Sequence, residues 1–130
     1  MRIVVTGMGV VSPIGGTVAE FWKSVCEGRC GIRDLTRFST KDFAFTRGGE
    51  IADFVPPAGV GTVPAGTDLA TQFMMAAALQ AVDEAGLADI KETGVVLSTN
   101  FGGVAAAEPF MAQVFGKEKE PHGEFRELSF

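Results

Sequence analysis

Histidine occurs once in the 130 residues, cysteine twice, tryptophan once and tyrosine not at all. One His and two Cys do not make a tetrahedral zinc site without several carboxylates. A Ser-His-Asp device would have to use His122, in Glu-Pro-His-Gly, where no neighbouring sequence supplies a nucleophile. Two cysteines are no disulfide framework. Basic residues are outnumbered, eleven against sixteen acidic ones, for a formal charge of −5. Only Arg29, Arg33, Arg37, Lys41 and Arg47 approach a cluster, which argues against a nucleic-acid surface. No apolar run reaches the ~18 residues of a membrane span. Met1 to Gly7 is too short and too Gly-broken for a signal peptide. The expected location is the cytoplasm, with no membrane or nucleic-acid partner, no metal and no cofactor.

Glycine, by contrast, is abundant at 17 residues, about twice the usual ~7%. Hydrophobic content of 46% with 21% charged is globular composition, and the length suits one domain without an internal boundary. Arg2–Thr6 is apolar and β-branched without alternation, the pattern of a strand covered on both faces. Gly94–Thr99 repeats it. Thr17-Val18-Ala19-Glu20 matches a capping box. It opens a helix to about Glu27, with Val18, Phe21, Trp22 and Val25 as its stripe and Gly28 beyond its end. Residues 29–66 read as irregular, anchored by Phe38, Phe43, Phe45 and Phe54, with a short strand at Gly49–Ala52 and an exposed Pro/Gly-rich loop from Val55 to Gly66. A second helix starts near Thr67-Asp68 and ends at Ala85, with Gly86 and Leu87 closing it. Phe73–Leu79 is apolar throughout, so this helix is expected to be covered on more than one side. Weaker helical periodicity runs from Val104 to Phe115, interrupted by Pro109. Strands and helices in this order indicate an α/β domain. Two strands are too few for a parallel sheet, so the chain is expected to be incomplete or to lean on another chain.

Each candidate for chemistry has a plainer reading. Gly7-Met8-Gly9-Val10-Val11-Ser12 follows a strand like a dinucleotide fingerprint. The third Gly is replaced by Ser12, and Pro13 follows where a helix should open. Tight backbone packing is the better explanation of its glycines. Cys26-Glu27-Gly28-Arg29-Cys30 places an Arg beside two thiols, which favours reactivity, but ordinary buried cysteine explains the pair as well. Asn100-Phe101-Gly102-Gly103 ends a strand where α/β sheets bind ligands. It reads either as a place of close ligand approach or as a tight strand-to-helix turn.

Several segments together resemble β-ketoacyl-acyl-carrier-protein synthases. Arg2 to Gly15 resembles the opening strand and turn. Phe21-Trp22 and Gly28-Arg29-Cys30-Gly31-Ile32-Arg33 resemble the first helix and its loop, with Cys30 where Ser is common. Phe38–Phe43 and Gly49–Phe54 resemble the next landmarks. Asp68 to Leu87 resembles the long buried helix, and Gly94 to Gly103 the strand and Gly-Gly turn behind it. The resemblance runs from Met1 to about Val104 in order and in register.

It implies the incomplete N-terminal part of a thiolase-like fold. It also implies an acyltransferase that performs decarboxylative Claisen condensation in fatty-acid or polyketide assembly. The partners implied are acyl carrier protein or coenzyme A thioesters. The assembly implied is a homodimer or a ketosynthase/chain-length-factor heterodimer. The family's nucleophilic Cys and two His have no counterpart here: Cys26 and Cys30 are misplaced, and His122 matches neither His. No catalytic residue is therefore expected in this chain, which alone should be inactive. A non-catalytic partner similar to a chain-length factor is the alternative. Asn100, Phe101, Gly102 and Gly103 are the acyl-pocket candidates. Phe101 stands where an aliphatic side chain often lines the acyl tunnel, which implies shorter or aromatic acyl groups. Val60–Thr67 lacks the basic residues that usually help receive the carrier protein. Pro109 fits a family helix only in its first turn.

Overall fold

In the computed structural model, residues 2–57 and 67–115 are described. The element order is α1 (Val18–Cys26), β1 (Ile32–Asp34), β2 (Arg47–Gly49), α2 (Leu69–Glu84) and α3 (Val104–Phe115).

Helix α1 begins as the capping box requires. Thr17 Oγ1 accepts from the Glu20 N–H at 3.3 Å, while the Glu20 carboxylate reaches one residue further back, to the Gly16 N–H at 3.0 Å. At the other end the Gly28 N–H donates to Val25 O, and Arg29 N–H to Ser24 O. These are the 5→2 and 6→1 bonds of a Schellman cap. The stripe is less covered than its spacing suggests. Trp22 and Val25 are exposed, and the buried residue of α1 is Ser24. The Ser12–Gly15 turn, which closes on itself through two backbone bonds, lays Gly15 against the backbone of Phe21.

Residues 29–57 hold an antiparallel ribbon in place of a single short strand. Ile32, Arg33 and Asp34 face Gly49, Gly48 and Arg47. The second strand therefore ends at Gly49, ahead of the expected Gly49–Ala52. Glu50 leaves the ladder because its carboxylate is bound by Thr36, through the N–H at 2.7 Å and the hydroxyl at 3.2 Å. The Arg37 guanidinium lies 3.4 Å from the other oxygen and donates to Ile51 O at 2.7 Å. Of the four expected aromatic anchors, Phe54 meets Phe73 of α2 edge-to-face at 4.8 Å. Phe38 and Phe43 pair with each other at 5.8 Å. Phe45 is exposed and pairs with neither. The loop from Val55 to Gly66 falls largely outside the described residues.

Helix α2 starts on Asp68, whose Oδ1 accepts from Ala70 N–H at 3.0 Å and Thr71 N–H at 3.2 Å. It stops on a second complete Schellman cap, with Gly86 N–H on Asp83 O and Leu87 N–H on Val82 O. It is contacted from several directions, as its apolar run requires. Phe54 lies against Phe73, Gly102 lies near Ala70, and the chain from Gly7 to Gly16 crosses its middle and end. Ala76, at 1% exposure, is its buried residue.

That crossing is backbone against backbone. A Cβ on Gly7 would overlap the carbonyl of Ala81, and one on Gly9 the carbonyl of Ala77. Side chains of α2 supply the hydrogen bonds. Gln80 Oε1 accepts from Val10 N–H at 3.2 Å, and its Nε2 donates to Val10 O at 3.2 Å and to Gly16 O at 2.7 Å. Glu84 accepts from Met8 N–H.

The two segments expected to be strands do not form them. Arg2–Thr6 and Gly94–Thr99 have no ladder partner among the described residues, and a strand exists only by pairing with a second backbone. Their side chains stand in solvent, Ile3 at 88% and Val96 at 101% exposure. Helix α3, in contrast, runs unbroken through Pro109. That proline is its sixth residue, beyond the first turn, so the carbonyl of Ala105 has no N–H at the i+4 position.

Two outcomes follow. In the protein carrying this chain, Gly9→Ala is expected to cost roughly 3 kcal/mol or more, because a helix carbonyl cannot move aside as a side chain can; equilibrium denaturation measures it. Expressed alone, the 130 residues are expected to self-associate through their two uncovered apolar segments. A monodisperse monomer with a cooperative melt in light scattering and calorimetry would contradict this.

Candidate functional site

The Asn100–Gly103 turn joins an apolar segment to the start of α3. Thr99 Oγ1 accepts from the Gly102 N–H at 2.9 Å. Gly103 has φ +82°, a conformation that disfavours any Cβ. Its carbonyl then receives the Ala106 and Ala107 N–H groups at 3.1 and 2.9 Å, which starts the helix. A Cβ on Gly102 would stand 2.6 Å from Thr99 Oγ1 and 3.4 Å from the Ala70 methyl. The turn therefore sits beside the first turn of α2 as it opens α3, and the two helix starts meet there.

Phe101 projects from this turn with 82% of its surface exposed, beside the exposed Val104. No residue between Glu92 and Glu108 is charged; the nearest carboxylate placed by the fold is Asp68, which caps the first turn of α2 beside Gly102. Such a turn can line a passage for an apolar chain. Asn100, Phe101, Gly102 and Gly103 themselves offer no acid, base or nucleophile.

The other candidates separate. The Gly7–Gly9 loop is spent on α2: the Met8 and Val10 N–H groups are bound by Glu84 and Gln80. The next helix opens only at Val18. A phosphate finds no helix start there, and two of the loop amides are already bound. Cys26 and Cys30 are both exposed, which corrects the expectation of ordinary buried cysteine. Arg29, the cation between them, is paired with Glu27 at 2.7 Å. Cys30 Sγ accepts from the Ile32 N–H at 3.5 Å. His122 lies outside the described residues, as does Val60–Thr67 apart from Thr67. Among the described residues no group of three or more His, Cys, Asp or Glu is placed to hold a metal ion. None of their helices is long and apolar enough to cross a membrane.

Two features escaped the sequence reading. Gln80 and Glu84 clamp the opening segment; their signal was a polar pair four residues apart just after the apolar run Phe73–Leu79. The second is a cleft of about 410 Å³ bordered by Lys23, Ser24, Arg29, Cys30 and Arg33. Its residues are spaced without helical or strand period, so no pattern marked it.

Residues 1–123 match the family described as beta-ketoacyl synthase, N-terminal domain. The chain is 37% identical over 112 residues to the 3-oxoacyl-acyl-carrier-protein synthase 2 of Synechocystis sp., which covers 82% of this chain and 27% of that protein. It is 35% identical over 109 residues to the actinorhodin polyketide putative beta-ketoacyl synthase 2 of Streptomyces coelicolor, covering 79% of this chain and 26% of that protein. Among solved structures, the ishigamide ketosynthase/chain length factor superposes with a TM-score of 0.70 at 34% identity, covering 85% of this chain and 28% of that one. The chain thus spans about a quarter of the length of the relatives it matches.

For the turn itself, Gly103→Ala is expected to cost about 1 kcal/mol from its left-handed backbone. Gly102→Ala, whose backbone is not left-handed, is expected to cost more because its Cβ would crowd Thr99 Oγ1, the acceptor of its own N–H. Thermal melting of the two variants in the protein carrying this chain checks the order.

Proposed function

The chain belongs to the β-ketoacyl synthase family, and we propose that it forms the N-terminal part of an acyltransferase that condenses an acyl thioester with a malonyl thioester. The family match over residues 1–123 carries this reading. In such a reaction a Cys thiolate takes the acyl group and releases the carrier thiol. The malonyl thioester loses carbon dioxide, and the resulting carbanion attacks the acyl carbon and frees the thiolate. Two His residues assist the decarboxylation and hold the developing oxyanion. Residues outside these 130 would have to supply all three groups, so the segment by itself is inactive. Its own contribution is the frame and one wall of the acyl pocket, at Asn100, Phe101, Gly102 and Gly103. The thioesters arrive on an acyl carrier protein or coenzyme A, in fatty-acid or polyketide assembly in the cytoplasm, and the working unit is a homodimer.

A second reading has support of its own. The bulk of Phe101 and the absence of Lys and Arg from residues 60–67 suit a non-catalytic partner. Such a subunit would pair with an active synthase as a chain-length factor does.

One assay series separates the two. The protein carrying this chain is incubated with acyl primers of increasing length, and its intact mass is read for an acyl adduct. Malonyl thioester is then added and the condensed product followed. An adduct and a product are expected for short or aromatic primers, with Phe101→Ala extending the range to longer chains. No adduct from the protein alone, with product appearing only beside an active synthase, would favour the partner role. An unchanged chain-length profile in Phe101→Ala would remove that residue from the pocket.

A further inference from the structure

The Asn100–Gly103 turn is shaped by bonds of its own. The Gly102 N–H goes to Thr99 Oγ1 at 2.9 Å. The Val104 N–H goes to Phe101 O at 3.3 Å, and the Ala106 and Ala107 N–H groups go to Gly103 O. These bonds give the turn its outline. A contact with α2 gives it its place: a Cβ on Gly102 would lie 3.4 Å from the Ala70 methyl, ordinary van der Waals distance.

Ala70 is the second residue of α2, and Asp68 holds it there. Both carboxylate oxygens of Asp68 are engaged in that one turn of helix. Oδ1 accepts from the Ala70 N–H at 3.0 Å and the Thr71 N–H at 3.2 Å. Oδ2 accepts from the Thr71 hydroxyl at 2.5 Å, the length of a charge-assisted bond. A third side chain closes the same turn, with Gln72 Nε2 on Thr67 O at 2.7 Å. The carboxylate therefore holds the amide of the residue whose methyl supports Gly102. A helix start frays when its first amides lose their acceptor. Here the residue released would be Ala70, Gly102 would lose its seat, and Phe101, one residue away, would move with it.

We propose that Asp68 is a positioning residue for the acyl pocket. Acting through Ala70 and Gly102, its carboxylate sets where Phe101 stands and so which acyl lengths are taken. The proposal rests on the pocket wall assigned above and adds to it a residue that touches no substrate. Ordinary capping has a different consequence. Loss of a cap that only stabilises lowers the melting temperature and leaves the turn and the selectivity alone. Thr17 is the internal comparison: it caps α1 by the same kind of bond, to the Glu20 N–H at 3.3 Å, and that helix seats the Ser12–Gly15 turn instead.

Hydrogen exchange in the protein carrying this chain reads the coupling, and product chain length reads its consequence. In Asp68→Ala, exchange over residues 99–107 is expected to quicken about fivefold, the size of an ordinary cap loss. Thr17→Ala should leave those residues unchanged. Asp68→Asn, whose Oδ1 still accepts from both amides, is expected to restore wild-type exchange. The condensed product, made by the protein alone or beside an active synthase, is expected to lengthen in Asp68→Ala as in Phe101→Ala, and to stay wild type in Thr17→Ala. Unchanged exchange over 99–107 in Asp68→Ala, or an equal change in Thr17→Ala, would overturn the proposal. So would an unshifted product in Asp68→Ala beside a shifted one in Phe101→Ala. An unshifted product in Phe101→Ala with the exchange coupled as expected would remove the pocket, and the proposal with it, while leaving Asp68 as the seat of the turn. The two failures are thereby told apart.

Discussion

The fold turns on how closely the Gly7–Gly9 backbone approaches α2. Without Cβ atoms at Gly7 and Gly9, the chain lies on the carbonyls of Ala77 and Ala81. At that distance the side chains of Gln80 and Glu84 reach its amides. The Gln80 amide bonds both polar groups of Val10 and then Gly16, so it stands in for a neighbouring strand over one residue. Everything downstream is located by that contact. Gly16 leads into the α1 cap, the Ser12–Gly15 turn seats on α1, and Gly31 and Gly49 pack on Pro13 from the ribbon side.

The proposed pocket wall is organised from the other end of the same helix. Asp68 fixes the first turn of α2, Ala70 abuts Gly102, and α3 departs from Gly103. One helix therefore relates the opening loop and the Asn100–Gly103 turn, which lie far apart in sequence. The wall carries no charged residue, and the charged cleft lies beside α1, toward the opening-loop end.

What could be read from the sequence was local. Thr17 and Glu20, Asp68, Gly28 and Gly86 announce helix ends because a cap is settled by residues within a few positions of it. The helices accordingly fall where expected. The ribbon did not announce itself. Thr36 and Arg37 hold Glu50 just beyond its end, from fourteen and thirteen residues away, with no period to reveal the contact. The apolar character of Arg2–Thr6 and Gly94–Thr99 was legible, yet pairing is a property of two backbones, and neither finds its partner among the described residues. Pro109 was read by its usual penalty and is tolerated inside α3 nonetheless. Asn100–Gly103 was legible as a turn from its glycines, whereas the meeting of three cations beside α1 needed the fold.

The clamp on the opening segment also sets an order of events during synthesis. Met8 and Val10 find their partners 76 and 70 residues later, on Glu84 and Gln80. The apolar opening segment thus waits for its α2 partners until that helix has emerged and coiled. A vectorially made chain holds that segment open for the whole interval, the period in which apolar nascent chains recruit chaperones or each other. The close glycine contact that secures this part of the structure therefore forms only once α2 exists, and the apolar segment ahead of it is protected no earlier.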